Sequence, residues 1–412
     1  MFNLFKIAMR NLIRYKRRTL LTASLITLGV VFVLVFVSIS GSFKAMMIGQ
    51  ITDSMLGHLQ IHRKGYVASI DNLPLNLNLP SQAYRKIAAR LAADPRVATF
   101  SPRIKFGGMF SNFVETTNIR LNGIDPEKEL QTTPLLTARI ADGETALRRG
   151  GLWVPVLLAK GLKVKLGDVV VIVATNADGS VNGKQFTVSA ILESVTGPGG
   201  RDGYLHIDDA AEILRMDEAE ISEVVVRLKQ FDRLDEARQH LTRETADTVD
   251  KQGRPMLEVH SWEQLSPFFN IASMIDVMTF FIKIMLVAIV LISIMNVMIM
   301  AVYERIREIG TIAAIGTPPG RIRTLFIMEG FCLGVIGAVV GNLIGIGLVV
   351  VLNLIGIEFD FGQQKGLLLT TALDPMDVLV VSVIVIAVAV AASLQPAFKA
   401  SRMEPIQALR HV

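Results

Sequence analysis

Four apolar runs, residues 20–43, 284–303, 330–357 and 378–398, contain no charged side chain, and three of them crowd the C-terminal part of the chain. Each reaches or exceeds the roughly 20 residues an α-helix needs to cross the hydrocarbon core of a bilayer. The pattern predicts an integral membrane α-helical protein with four transmembrane helices. A long stretch of mixed polarity separates the first run from the second, and it predicts a large α+β domain inserted between helices one and two. Ahead of the first run, Phe5, Ala8, Met9 and Leu12 recur at helical spacing while Lys6, Arg10, Arg14 and Lys16 fall largely on the other side. That is the signature of a helix lying in the membrane interface.

The expected organisation is an interfacial helix at 1–18, a first span at 19–45 and an inserted domain at 46–270, with a β-rich lobe at about 126–203. A second span at 271–303, a loop at 304–321, a third span at 322–357, a loop at 358–377, a fourth span at 378–398 and a tail at 399–412 complete it. Within the domain, Ser81 is placed to cap a helix running to Asp94-Pro95, and Asp208 and Asp232 to open two more. The runs 169–174 and 186–192 flank Asn176-Ala177-Asp178-Gly179 and read as a hairpin, and 119–121 and 224–228 read as further strands.

A content of 51% hydrophobic against 19% charged residues is too apolar for an ordinary soluble chain. Charge placement then orients the spans. Lys6, Arg10, Arg14, Lys16, Arg17 and Arg18 precede the first span with no acid among them. Arg305, Arg307, Arg321 and Arg323 lie between the second and third, and Lys399, Arg402 and Arg410 follow the fourth. The positive-inside rule places all three segments in the cytoplasm. Glu358, Asp360, Asp374 and Asp377 face only Lys365 in the other loop, which belongs outside with the inserted domain. The first run is far longer than the roughly 7–15 apolar residues of a signal peptide, so it is expected to be retained.

Catalytic signatures are scarce. The one cysteine, Cys332, sits in the third run and excludes an intramolecular disulfide. The six histidines are dispersed, and His58 and His62, though four apart, have no accompanying Glu of a zinc-protease motif, so no metal site is expected. Residues 197–203 are glycine-rich but lack the Lys-Ser/Thr of a phosphate loop, and no Gly-x-Ser-x-Gly elbow occurs. The ionisable groups nearest the spans, Asp276, Lys283 and Glu329, are explained by snorkelling and local pairing rather than an ion pathway. Gly330, Gly334, Gly337, Gly341 and Gly345 form a small-residue face suited to close helix packing.

After the second span, Glu304-Arg305-Ile306-Arg307-Glu308-Ile309-Gly310 continues as a charged helix, and Ala314-Ile315-Gly316-Thr317-Pro318-Pro319 breaks the chain. This stretch resembles the Glu-Arg-x-Arg-Glu-Ile-Gly-x-x-x-Ala-Ile-Gly signature of the FtsX/MacB/LolE-type (type VII) ABC transporter permeases. In layout the chain is most similar to the transmembrane subunits of lipoprotein-releasing systems. Met9-Arg10-Asn11-Leu12, Asn122-Gly123-Ile124-Asp125-Pro126, Ser261-Trp262-Glu263-Gln264-Leu265 and Pro405-Ile406-Gln407-Ala408-Leu409-Arg410 extend the resemblance over essentially the whole sequence. Ala313 stands where the family pattern has a basic residue, and Pro318-Pro319 is an unusual pair.

The resemblance implies a bacterial inner-membrane permease that does not itself bind a cofactor. ATP and magnesium would be handled by a cytoplasmic ABC ATPase dimer, consistent with the absence of a Walker A sequence here. It implies a second permease subunit, contact with membrane lipids, and a lipoprotein chaperone or periplasmic adaptor as a further partner, with no nucleic acid involved. Glu304, Arg305, Glu308, Gly316, Thr317, Pro318 and Arg321 are expected at or beside the ATPase-docking surface. Met46, Met47, Phe268, Phe269, Met274, Met278 and Phe281 are expected to receive cargo, because methionine and aromatic side chains repack around acyl chains. Release of lipoproteins or lipids from the outer leaflet is the leading expectation. Export of amphiphiles, peptides or antibiotics, and signalling to a cell-wall hydrolase, are the alternatives.

Overall fold

A computed structural model describes residues 2–194, 202–249, 253–361 and 364–403. The glycine-rich residues 197–201 and the terminal Pro405–Arg410 motif lie outside them. The chain divides into two compact units. One comprises Met1–Ala45, Ser273–Glu358 and Leu368–Val412; the other comprises Met46–Ala272 with Phe359–Leu367.

The first unit is helical. Its elements are α1 (Phe2–Arg14), α2 (Lys16–Ile51), α3 (Phe268–Glu304), α4 (Ile306–Ala314), α5 (Pro319–Ile355) and α6 (Pro375–Ser401). Four of them, α2, α3, α5 and α6, are long and apolar enough to cross a membrane. Helix α3 is unbroken over 37 residues, because nothing between Phe268 and Glu304 is a glycine or proline. The core of the unit runs through Ile26, Val30 and Leu34 of α2, Val290 and Ile294 of α3, and Val385 and Ala389 of α6. Ala8 and Leu12 of α1 join this core, so α1 buries a narrow stripe and leaves Lys6 and Arg10 exposed. After α5, Gly356 adopts φ 67° and the chain forms a ribbon of two strands, Ile357–Phe361 and Gln364–Leu369, within what the sequence reads as a plain loop.

Among the described residues the large sheet of the second unit has ten strands: β1 (Leu59–Arg63), β2 (Val97–Ser111), β3 (Thr116–Ile124), β4 (Ile140–Gly143), β5 (Gly151–Pro155), β6 (Val169–Thr175), β7 (Val181–Leu192), β8 (Asp202–His206), β9 (Glu223–Leu228) and β10 (Leu257–Ser261). Their order is β10-β1-β9-β2-β3-β8-β5-β7-β4, and β6 pairs with both β2 and β7. That last pairing closes a circuit through β2, β3, β8, β5, β7 and β6. The strands of the expected lobe at about 126–203 belong to the same sheet as the rest of the domain. They share β2 and β3 with the rest of the domain, since Met109 opposes Val173 across β2 and β6, and Asn122 opposes Tyr204 across β3 and β8.

The β6–β7 hairpin forms where the alternation and turn residues place it. Asn176 N–H donates to the Ser180 carbonyl at 2.8 Å, and Gly179 takes the left-handed φ of 83° that a side chain would resist. The helices differ in detail. Ser81 does not cap: its hydroxyl hydrogen-bonds Glu218, and Pro80 stands at the cap position of Ser81–Ala93. Asp208 lies inside Ile207–Ile213, whose first turn is capped by His206 Nδ1 accepting from Asp208 N–H at 3.2 Å. Asp232 falls in a short 3-10 turn ahead of Leu234–Thr245.

A buried ionic cluster joins β1, β2, β9 and the helix Pro126–Thr132. Arg103 Nε reaches Glu129 Oε1 at 3.0 Å and its Nη1 reaches Glu223 Oε1 at 2.9 Å; Lys105 Nζ is 3.3 Å and His62 Nε2 3.6 Å from Glu223 Oε2. Burial works to raise the Glu223 carboxyl, but Lys105, His62 and Arg103 overcome it and hold the group far below the usual range. Arg103, Glu129 and Glu223 are enclosed by protein on every side, which makes the cluster a clamp between strands rather than a site open to substrate.

Candidate functional site

The richest convergence of polar groups in the helical unit lies where α3 ends. Arg305 leaves helical geometry at φ −110° and ψ 19°, so the chain turns between α3 and α4. Its guanidinium folds inward, with Nη1 2.9 Å from Glu329 Oε1 of α5 and Nε 3.0 Å from Glu308 Oε2 of α4, and it stacks 5.6 Å above the Phe326 ring. Asn11 of α1 donates from Nδ2 to the same Glu329 oxygen at 2.7 Å. Glu329 is wholly buried, and its Oε1 is met there by the Arg305 guanidinium and the Asn11 amide. The outermost contact, Arg14 to Glu308 at 3.8 Å, is exposed and worth little.

Helix α4 ends in a complete Schellman closure. Gly316 N–H donates to the Ala313 carbonyl at 3.0 Å and Thr317 N–H to the Ile312 carbonyl at 3.2 Å, with Gly316 at φ 96°. Pro318 and Pro319 then start α5, Pro319 occupying the first turn where its missing N–H costs nothing. Glu304, Gly316, Pro318 and Arg321 are exposed, and Glu308 and Thr317 are half-buried. Arg305 departs from the expected docking set. Its side chain is 5% exposed and spent on Glu308 and Glu329, so it cannot present a free cation to a partner. At the same end, Lys399 lies 4.8 Å from the Tyr303 ring and Arg323 lies 5.0 Å from the Phe398 ring.

The glycine face of α5 contacts two different helices. A Cβ on Gly330 or Gly334 would lie 2.6 Å from Ser393 Cβ or Ala389 Cβ of α6. A Cβ on Gly337, Gly341 or Gly345 would meet Ile26, Val30 or Leu34 of α2 at 2.4, 2.7 and 3.0 Å. The other charges near the spans are paired locally: Lys44 Nζ binds Asp276 at 2.6 and 2.7 Å, and Lys283 Nζ is 3.5 Å from Asp377.

The expected cargo-receiving residues do not form one set. Met47 is fully buried in the core of the inserted domain, so it has no surface to offer. Phe268 packs partly against that core, Phe269 sets its ring edge on Trp262 at 6.2 Å, and Met46 is half-buried. Met274, Met278 and Phe281 are exposed along one face of α3. In the inserted domain a cavity of about 1030 Å³ is lined by Leu73, Met109, Leu157, Leu162 and Val181, with Arg120 among its polar groups.

His58 and His62 are held apart in purpose. His58 Nδ1 accepts from Leu228 N–H at 3.1 Å, whereas His62 stacks on Tyr66 at 5.3 Å. Asp94, His240 and Glu244 approach with metal-like spacing, but Arg96 already binds both Asp94 oxygens at 2.9 and 3.0 Å and contacts His240. A guanidinium fills the place of a cation. Sequence reasoning singled out Arg305 and Glu329 separately and missed their pairing, and it missed Asn11 as their partner. The signal was the polar Asn11 beside the buried stripe Ala8 and Leu12.

Two family models match the chain: the FtsX-like permease C-terminal over residues 279–405 and the MacB-like periplasmic core domain over residues 19–244. Among individual proteins, the lipoprotein-releasing system transmembrane protein LolC of Neisseria meningitidis is 25% identical, over 95% of this chain and 94% of LolC. LolE of Haemophilus influenzae is 23% identical over 79% of this chain and 80% of its own length. A shorter stretch is 33% identical to the macrolide export ATP-binding/permease protein MacB of Hyphomonas neptunium, covering 29% of this chain and 16% of that protein.

Proposed function

The chain belongs to the ABC transporter permeases that join a MacB-like periplasmic core domain to an FtsX-like membrane domain, and from that premise we propose that it releases lipoproteins or lipids from the outer leaflet of the bacterial inner membrane. The observation that carries this reading is end-to-end similarity to LolC, which spans nearly all of both chains. Energy would come from a cytoplasmic ABC ATPase holding ATP and magnesium, docked on the exposed surface of α4 and the turn at Gly316, Thr317, Pro318 and Arg321, with Glu304 and Glu308 beside it. A second permease subunit would complete the membrane domain, and both chain termini would be cytoplasmic. The exposed Met274, Met278 and Phe281 are the groups best placed to touch acyl chains, and Met47 is removed from that set by its burial.

Export of a small amphiphile is the second reading, favoured by the higher identity of the segment shared with a macrolide-export protein. The apolar cavity of the inserted domain suits either amphiphile. The deciding experiment is affinity capture of the full-length protein in nanodiscs, with proteomics and lipid mass spectrometry on one sample. A stoichiometric ATPase together with triacylated lipoproteins is the expected result. An ATPase with a periplasmic adaptor and no lipoprotein would transfer the assignment to export, and a cell-wall hydrolase in place of both would transfer it to signalling.

A further inference from the structure

Helix α4 is covalently separated from α3 by the turn at Arg305, so a push on α4 could be absorbed by bending there. The side chains oppose that. Arg305 and Glu308 lie on one side of α4's first turn, and Arg305 also grips Glu329 on α5. Glu329 in turn holds Asn11 of α1, whose Ala8 and Leu12 are already buried against the same core. One carboxylate oxygen of α5, Glu329 Oε1, therefore accepts from two residues distant in sequence, Asn11 of α1 and Arg305 at the head of α4.

We propose that Glu329 is a positioning residue that clamps the N-terminal helix α1 and helix α4 to α5, so that the three move as one lever. The interfacial helix is then a working part of the transmission rather than a topological anchor. The mechanical role rests on the ATPase docking proposed above, whereas the clamp itself does not.

The clamp is tested on full-length protein in nanodiscs with Cys332→Ala as background and spin labels at the exposed Ile13→Cys and Ile312→Cys. A single narrow α1–α4 distance is expected in the parent, and a broad distribution in Glu329→Ala and in Asn11→Ala, the latter truncating a side chain that is only half-buried. An unchanged narrow distribution in both variants overturns the clamp. With the partner ATPase in proteoliposomes, Glu329→Ala should keep ATPase binding while cargo released per ATP falls about tenfold, within the range of ordinary coupling free energies. Glu329→Gln, whose amide oxygen can still accept from Arg305 and Asn11, should keep a substantial share. Wild-type cargo per ATP in Glu329→Ala overturns the transmission role. Failure of the parent protein to capture any ATPase instead removes the docking proposal, and the distance measurement still decides the clamp.

Discussion

Met47 and Phe281 belong to residue types that sequence reasoning cannot separate, yet they sit in opposite environments. Met47 is enclosed by the core of the inserted domain, whereas Phe281 is 63% exposed on α3. Truncating Met47 to alanine should cost about 2–5 kcal/mol through lost burial and a cavity, lowering the yield of folded protein. Phe281→Ala should leave stability within about 0.5 kcal/mol and instead weaken cargo release in a reconstituted assay. Equal effects of the two on stability, read from denaturant titrations, would contradict the assignment. Gly316 supplies a second contrast of this kind. At φ 96° any side chain is strained, so Gly316→Ala should cost about 1 kcal/mol of α4's C-terminal closure. Amide exchange at Thr317 should then quicken about fivefold, the factor that 1 kcal/mol represents. Exchange unchanged there would mean the Schellman bonds do not hold the turn.

At the scale of elements, the glycine face of α5 divides its duties between α6 and α2. Gly334→Val should force α6 away and Gly337→Leu should force α2 away, each costing about 1–3 kcal/mol by overpacking. Cysteine crosslinking across each pair would resolve the two: the first substitution should disturb only α5–α6, the second only α5–α2. Equal loss of both crosslinks in either variant would refute the division. The four spans were legible because an apolar helix is a local property of composition. The partner of each glycine was not, because five small residues at helical spacing mark a close approach without naming what approaches. The same holds in the sheet. The β6–β7 hairpin was readable from adjacent alternation and turn residues, but the β2–β6 and parallel β3–β8 pairings join strands far apart in sequence. Without them the domain reads as a core with an inserted lobe. Arg305 and Glu329 failed for a related reason: each was visible as an oddity near a span, and only three-dimensional packing brings them together with Asn11.

For the whole molecule, the distribution of aromatic and titratable groups makes its acid response observable in the intact chain. Both tryptophans, Trp153 and Trp262, are buried in the inserted domain, so intrinsic fluorescence reports that domain alone even with the membrane helices present. Burial lowers the His260 imidazole from its usual value, with His62 adding to the effect. Protonation is thus easier in the unfolded chain, and stability present above about pH 6.5 is lost as pH falls below it. Glu223, also held below its unfolded value, has the same sign at lower pH: its contribution is complete above about pH 4.5 and is lost as acid titrates the carboxylate among Arg103, Lys105 and His62. Thermal melting followed by tryptophan fluorescence in nanodiscs should therefore be flat between about pH 7 and 9, decline gently toward pH 4.5, and fall steeply beneath it. His260→Gln should abolish the gentle part and spare the steep part. A melt that instead weakens as pH rises from 5 to 7 would require a group whose folded form binds protons more tightly than its unfolded form, and would overturn this account of His260.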